Sequence, residues 1–282
     1  MLTLSTIPKG FTSGHINTIQ RNALKSWLAL GPECEVIVFG DDPGVAETCK
    51  ELGAKHVPNV PRNEFGTPLL NWTFEEARKI GRGDILMYTN ADIIFTGDLL
   101  PTIKKIKEEM FLAVGRRMDM DIKEEMDFKD PEWEKKLRVW TKKDGRLHGY
   151  AGIDYFIFPK DLPHGLPAFP VGRPGWDNWF IDHIRRERIP VIDTTPVNLV
   201  VHQNHPSVYR KPEKKNENKK SIALAGGFLH MMTIRDADWL LTEDGLKRPE
   251  IKRRTLALLS LFYPWQALLA AKRYLERNFL GK

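Results

Sequence analysis

Asp84-Ile85-Leu86-Met87-Tyr88-Thr89-Asn90-Ala91-Asp92-Ile93-Ile94-Phe95 contains two apolar runs, Ile85–Tyr88 and Ile93–Phe95, separated by a polar island, Thr89–Asp92. Continuous apolar runs this short are the pattern of strands buried on both faces. A carboxylate between two such strands is costly unless it is paired or holds a cation. Asn90 and Asp92 are two residues apart, so in extended chain both side chains leave the same side. Two readings follow. The pair offers oxygen ligands to a hard divalent cation at a strand end, or it caps a strand-ending turn.

The first ninety residues alternate between strand and helix. Leu2–Thr6, Glu35–Phe39 and His56–Val60 read as strands. Ile16, Ile19, Ala23, Trp27 and Leu30 recur at helical spacing, as do Val45, Cys49 and Leu52, and Leu70, Phe74, Ala77 and Ile80. Asp42 and Pro43 read as the cap and first residue of the second helix. This alternation predicts a mainly parallel α/β sheet with right-handed crossovers. Ligands of such sheets bind beyond the carboxyl ends of the strands, where Thr6–Lys9, Gly40–Asp42 and Thr89–Asp92 fall together. No Gly-x-Gly-x-x-Gly or Gly-x-x-x-x-Gly-Lys follows a strand, which removes the common dinucleotide and P-loop signatures.

The second half is less regular. Leu99–Met110 is expected to be helical, Phe111–Gly115, Tyr155–Phe158, Pro190–Asp193 and Val197–Val201 to be strands, and Asp119–Asp130 and the basic run 210–220 to be loops. Pro163–Gly175 is a long Pro/Gly loop ahead of a helix carrying Trp176, Phe180 and Ile184.

The chain has 282 residues, 41% hydrophobic and 28% charged, which suits a globular protein and leaves room for one large or two small domains. Met1 leads straight into Leu2–Ile7 with no basic n-region or cleavage site, and Cys34 and Cys49 are the only cysteines. A cytoplasmic, reducing compartment is therefore expected. The net charge of +6 is concentrated at the end, where residues 250–282 hold seven Lys/Arg against two Glu. Within them Thr255–Ala271 is mostly apolar and broken by Pro264, with Trp265, Leu268, Leu269 and Leu275 on one stripe. A hinged amphipathic helix is expected there, lying peripherally on an anionic membrane or packed on the protein itself or a partner. Aromatics interleaved with the charges as in a nucleic-acid groove are missing, so nucleic acid is not an expected partner.

The α/β half with its Asn90-Ala91-Asp92 island resembles the GT-A-type nucleotide-sugar glycosyltransferases, whose Asp-x-Asp motif ends the corresponding strand. Here Asn stands at the first position. Gly175-Trp176-Asp177-Asn178-Trp179 resembles the Trp-Asp-Asp-Trp stretch of inverting N-acetylglucosaminyltransferases. The resemblance implies a GT-A-like mixed, mainly parallel sheet flanked by helices over residues 1–235, with a nucleotide-binding half (1–92), an acceptor half (93–235) and a helical, basic extension (236–282). It implies a metal-dependent inverting transfer of a hexosyl or N-acetylhexosaminyl group from a nucleoside-diphosphate sugar to a glycan or lipid-linked acceptor. Asp177 would be the catalytic base. Asp92 and His202, with His205 as competitor, would hold Mn²⁺ or Mg²⁺. Thr6, Pro8, Lys9, Asp41, Arg62, Gly66, Thr67 and Asn90 would bind the donor, and Asp154, Trp176 and Trp179 the acceptor. Asp154 is the second candidate base. A sugar-phosphate nucleotidyltransferase and a non-catalytic nucleotide- or carbohydrate-binding module are the competing readings. The first would need a glycine-rich loop, which Ser5–Gly14 does not supply.

Overall fold

The computed structural model describes residues 1–12, 14–206, 212–227 and 230–249. The opening alternation is realised as β1 (Leu2–Thr6), α1 (His15–Leu28), β2 (Cys34–Phe39), α2 (Val45–Leu52), β3 (Lys55–Val57), α3 (Leu70–Ile80) and β4 (Ile85–Thr89). The chain continues through β5 (Ile93–Phe95), α4 (Leu99–Lys105), β6 (Leu112–Val114), β7 (Met118–Met120), α5 (Trp133–Asp144), β8 (Arg146–Leu147) and β9 (Tyr155–Pro159). It ends with α6 (Trp176–Arg186), β10 (Val191–Asp193), β11 (Val200–Gln203), α7 (Lys215–Leu224), β12 (Trp239–Thr242) and β13 (Gly245–Lys247).

The main sheet has nine strands in the order β13-β12-β10-β6-β9-β4-β1-β2-β3. β1, β2, β3 and β4 run parallel, as do β6, β10 and β12, while β9 is antiparallel to both β4 and β6. Two reversals across β9 leave β10 and β12 pointing the same way as β4. A second, four-stranded sheet has the order β5-β11-β7-β8. The apolar runs on either side of Asn90–Asp92 therefore lie in different sheets, and the polar island is the crossing between them.

Strand alternation divides the core between the faces of the main sheet. Tyr88, Phe156 and Phe158 pack with Phe74 of α3 and Trp176 and Phe180 of α6 on one side. Leu4, Met87, Tyr155 and Ile157 pack with Trp27 of α1 and Phe95 on the other. Close packing leaves little room at Gly83 before β4: an added Cβ would lie 2.5 Å from the Met1 carbonyl oxygen and 2.7 Å from the Thr3 nitrogen, both backbone atoms. Gly83→Ala is expected to cost about 1–3 kcal/mol through displacement of β1, read as a lowered urea midpoint. An unchanged midpoint would mean that the β1 edge yields freely.

Several sequence expectations are corrected. α2 begins at Val45 behind a left-handed Gly44, so Asp42 is not its cap. Asp42 instead pairs with Arg62. The helix expected to reach Met110 ends at Lys105. Met118–Met120 is a strand because β11 and β8 pair with it on either side, an interaction its own composition does not announce. Residues 215–220 of the basic run belong to α7 rather than to a loop. Its buried residues are polar, Glu217 and Ser221, so no apolar period marked it. Ser221 Oγ donates to the Pro174 carbonyl, and Glu217 accepts from Arg173 and Asn63. Residues 239–247, expected within a helical extension, are two strands at the edge of the main sheet. Thr255–Ala271 lies outside the described residues. Among the described residues, no helix is long and apolar enough to cross a membrane.

Candidate active site

β4 ends at Thr89, and Asn90 turns the chain away from the main sheet. The turn is fixed at both ends: the Asn90 N–H donates to the Asp154 carbonyl (2.9 Å) and its side-chain amide to Asp154 Oδ1 (2.8 Å). The chain then enters β5, which pairs with β11 so that His202 lies opposite Ile93, one residue from Asp92. β11 also pairs with β7, bringing His202 opposite Asp119. The small sheet thus gathers groups distant in sequence beside the end of the central strand.

Asp92 Oδ2 lies 2.9 Å from His205 Nε2 and 3.8 Å from His202 Nε2. One ligand atom from each of Asp92, His202 and His205 falls within a 4.8 Å spread. The His205 Nδ1 is 3.0 Å from the Pro206 carbonyl, an acceptor only, so Nδ1 carries the proton. The Nε2 faces Asp92 Oδ2, also an acceptor, and a bound ion would take the place of the proton between them. The other Asp92 oxygen, Oδ1, is buried and makes no hydrogen bond among the described residues. A partnerless buried carboxylate oxygen beside two imidazole nitrogens is a donor set that suits a divalent cation. Burial opposes the Asp92 charge, but the His205 hydrogen bond and the neighbouring His202 hold its carboxyl below the ordinary value. Burial likewise opposes charge on His202, yet Asp119 and Asp92 leave its ring above the usual value.

Behind the cluster stands a network that the sequence did not reveal. Arg117, largely buried, donates through Nε to Asp119 Oδ1 (3.1 Å) and through Nη1 to Asp154 Oδ2. Asp119 also meets His148 Nδ1 (2.7 Å) and lies 3.3 Å from His202 Nδ1. Burial would raise the Asp119 carboxyl, but His202, His148 and Arg117 outweigh it and hold the group well below the carboxylate range. Asn90, Asp154, Arg117, Asp119, His202, Asp92 and His205 form one continuous chain of contacts. Asp119 opens the acidic stretch expected to be a loop, and its pairing opposite His202 of β11 gives it a role.

Asp177 occupies the first turn of α6, after a left-handed Gly175. Burial pushes its carboxyl up to about 7, and the charge of Asp154 adds to the shift. The turn is anchored by Asn178, whose side chain donates to the Met232 carbonyl (2.7 Å) while its carbonyl accepts from the Met232 N–H (3.1 Å).

The residues expected to bind the donor and acceptor divide into two groups. Asp41 and Arg62 meet at 2.5 Å, and Arg62 also reaches Asp42 Oδ1 and the Gly66 carbonyl (both 2.9 Å), which ties the loops after β2 and β3 together. Lys9 is exposed beside buried Pro8 and is held through its backbone by Gln20. Thr6 is wholly buried, its hydroxyl donating to the Thr89 carbonyl at 2.7 Å, so it braces strand ends rather than offering a free group. Thr67 is also buried, its N–H donating to Asn63 Oδ1 (2.9 Å). Trp176 is only 5% exposed and wedged among Phe74, Tyr88 and Phe156, which removes it from the expected contact with acceptor. One face of Trp179 is covered by the parallel ring of His183, 4.6 Å away. Of the two tryptophans, burial makes Trp176 core and leaves Trp179 half-buried. Asp154 is buried and fully engaged by Asn90 and Arg117, which makes it a brace rather than a free base.

No family model matches this chain, and no curated protein matches it. Solved structures do. One is glucosyl-3-phosphoglycerate synthase from Mycobacterium tuberculosis in complex with Mg²⁺ and uridine diphosphate, with a TM-score of 0.50, 14% identity and 80% of each chain covered. Another is the same synthase with Mn²⁺, uridine diphosphate and phosphoglyceric acid, again with a TM-score of 0.50 and 14% identity, covering 80% of this chain and 79% of that one. Together with the nine-stranded sheet and its flanking helices, this likeness shows that the chain has a GT-A-like fold.

Proposed function

We propose that this chain is a metal-dependent glycosyltransferase that moves a sugar from a nucleoside diphosphate to an acceptor hydroxyl of a glycan or lipid-linked glycan, with inversion at the anomeric carbon. The observation that carries the reading is the Asp92–His202–His205 cluster beyond the carboxyl end of β4, with the buried Oδ1 of Asp92 unpaired. Ligands of parallel α/β sheets bind at that edge. The fold likeness to a synthase solved with Mg²⁺ or Mn²⁺ and uridine diphosphate supports the same reading.

Asp92, His202 and His205 would hold the ion, and two imidazoles beside one carboxylate suit Mn²⁺ better than the oxygen-preferring Mg²⁺. When bound, the ion acts as a Lewis acid that neutralises charge on the departing diphosphate. The protein's own groups do the rest. Asp119 lies 3.3 Å from His202 Nδ1 and attracts the ring by its charge, and Arg117 holds Asp119 and Asp154 in place. Pro8, Lys9, Asp41 and the Arg62–Gly66 loop, which follow β1, β2 and β3, would bind the donor. Asp177 takes the proton of the attacking hydroxyl. A carboxyl near 7 is a stronger base than a free aspartate and is still ionised in a useful fraction at neutral pH. Cys34 and Cys49 are free and buried, in keeping with a cytoplasmic location. For residues 250–282 the proposed role is a peripheral membrane contact near a lipid-linked acceptor, resting on sequence alone.

The full chain incubated with a panel of UDP- and GDP-sugars and simple glycan acceptors should release nucleoside diphosphate only with Mn²⁺ or Mg²⁺, and proton NMR should show product of inverted anomeric configuration. A retained anomer, or turnover unaffected by chelator, would contradict the proposal, and tight donor binding without turnover would favour a binding module.

A further inference from the structure

At the opposite edge of the main sheet lies a cavity of about 190 Å³, lined by Arg185, Arg188, Ile189, Pro190, Asp238, Trp239 and Arg248. Pro190 and Trp239 sit at the starts of β10 and β12, which run in the same direction as β4, so the cavity is at the end of the sheet remote from Asp92. Three arginines and one aspartate line it, and the aspartate is already committed. Asp238 Oδ1 accepts from Arg185 Nη2 (3.0 Å), and its Oδ2 from the Val191 N–H (3.0 Å). Arg248 lies over the Trp239 ring at 3.8 Å, which steadies a planar group without neutralising it. Arg188 and Arg248 make no ion pair among the described residues.

Arg188 has a further peculiarity. Its φ is 60°, and no other non-glycine residue among those described has a positive φ. The position follows α6, with the Arg188 N–H donating to the Arg185 carbonyl and the Ile189 N–H to the Ile184 carbonyl, a helix end at which glycine is the unstrained residue. A strained arginine where glycine would fit better is accounted for when its side chain is used.

We propose that this cavity is a second, anion-binding site that takes a phosphate monoester group between Arg188 and Arg248, with Arg185 held in place by Asp238. Guanidinium forks match tetrahedral oxyanions in geometry as well as charge. The site is independent of the chemistry at the other end of the sheet. The phosphate could belong to a soluble metabolite or to a lipid headgroup.

Arg188→Gly separates this proposal from a structural role, because it removes the guanidinium while relieving the backbone. Inorganic phosphate would be titrated into full-length wild type and Arg188→Gly at constant ionic strength, with chloride as control, followed by calorimetry. Flotation with vesicles of phosphatidylcholine with and without phosphatidic acid forms the second arm. Wild type should bind phosphate, and Arg188→Gly should bind roughly tenfold more weakly or not at all, while melting at the same or a higher temperature. A phosphate response lost in the variant, with equal flotation, assigns a soluble ligand; a flotation difference assigns a headgroup. Identical behaviour of the two proteins in both arms, or a lower melting temperature in Arg188→Gly without loss of anion binding, would overturn the proposal.

Discussion

Asp177→Asn is expected to bind nucleotide sugar as wild type does and to lose about 10²–10⁴-fold of transfer, the usual contribution of a positioned general base. The substitution keeps shape and hydrogen-bonding capacity and removes only the ability to take a proton. Its pH behaviour supplies a second readout. Burial raises the folded carboxyl to about 7, against an ordinary 3.8. The folded state therefore holds a proton that the unfolded state has released, and stability falls as pH rises from about 4 to about 7. Asparagine carries no such penalty. Asp177→Asn should match wild type in stability near pH 4 and exceed it above pH 7, by a few kcal/mol at most. Wild-type transfer should rise with pH through about 7 as the base ionises. A fully active Asp177→Asn enzyme would end the assignment, and equal melting temperatures at pH 8 would show that the carboxyl is not held high.

Arg117→Met is expected to have the largest effect on stability. Methionine fills much of the arginine volume, but Asp119 and Asp154, both under 10% exposed, lose their shared cation. Removing one partner of a buried ion pair costs about 3–5 kcal/mol, because the remaining charge stays buried without compensation. For a chain of this size that is a fall in melting temperature of roughly 10 °C. Arg117→Lys should recover part of the loss, since an ammonium restores charge but cannot bridge the two carboxylates with a rigid fork. A melting temperature unchanged in Arg117→Met would mean that His148 and His202 carry Asp119 by themselves.

The sheet was legible in the sequence for a physical reason. Strands buried on both faces are mostly apolar, and Val36–Phe39, Ile85–Tyr88 and Tyr155–Phe158 stand out from their surroundings, while Leu2–Thr6 buries Thr3, Ser5 and Thr6 as well. Asn90 and Asp92 stood out by contrast with their apolar flanks, and His202 by its place at the end of a strand. The supporting network did not. Arg117, Asp119 and His148 lie in short, polar segments whose structure comes from pairing with β11 and β8 rather than from any local period. α7 was missed because what it buries is Glu217, bound to Arg173 and Asn63. The tryptophans of the Trp-Asp-Asn-Trp stretch were legible as a pair but not by face; contact with Phe156 and Tyr88 makes Trp176 core. Buried polar contacts join residues far apart in sequence, and single-sequence periodicity carries no record of them.

The most direct test is calorimetric titration of UDP into wild type and Asp92→Ala, each with and without Mn²⁺. Wild type should bind UDP at least roughly tenfold more tightly with the ion, and Asp92→Ala should bind it equally weakly in both conditions. An Asp92→Ala protein that keeps the full Mn²⁺ dependence of UDP binding would contradict the Asp92–His202–His205 site.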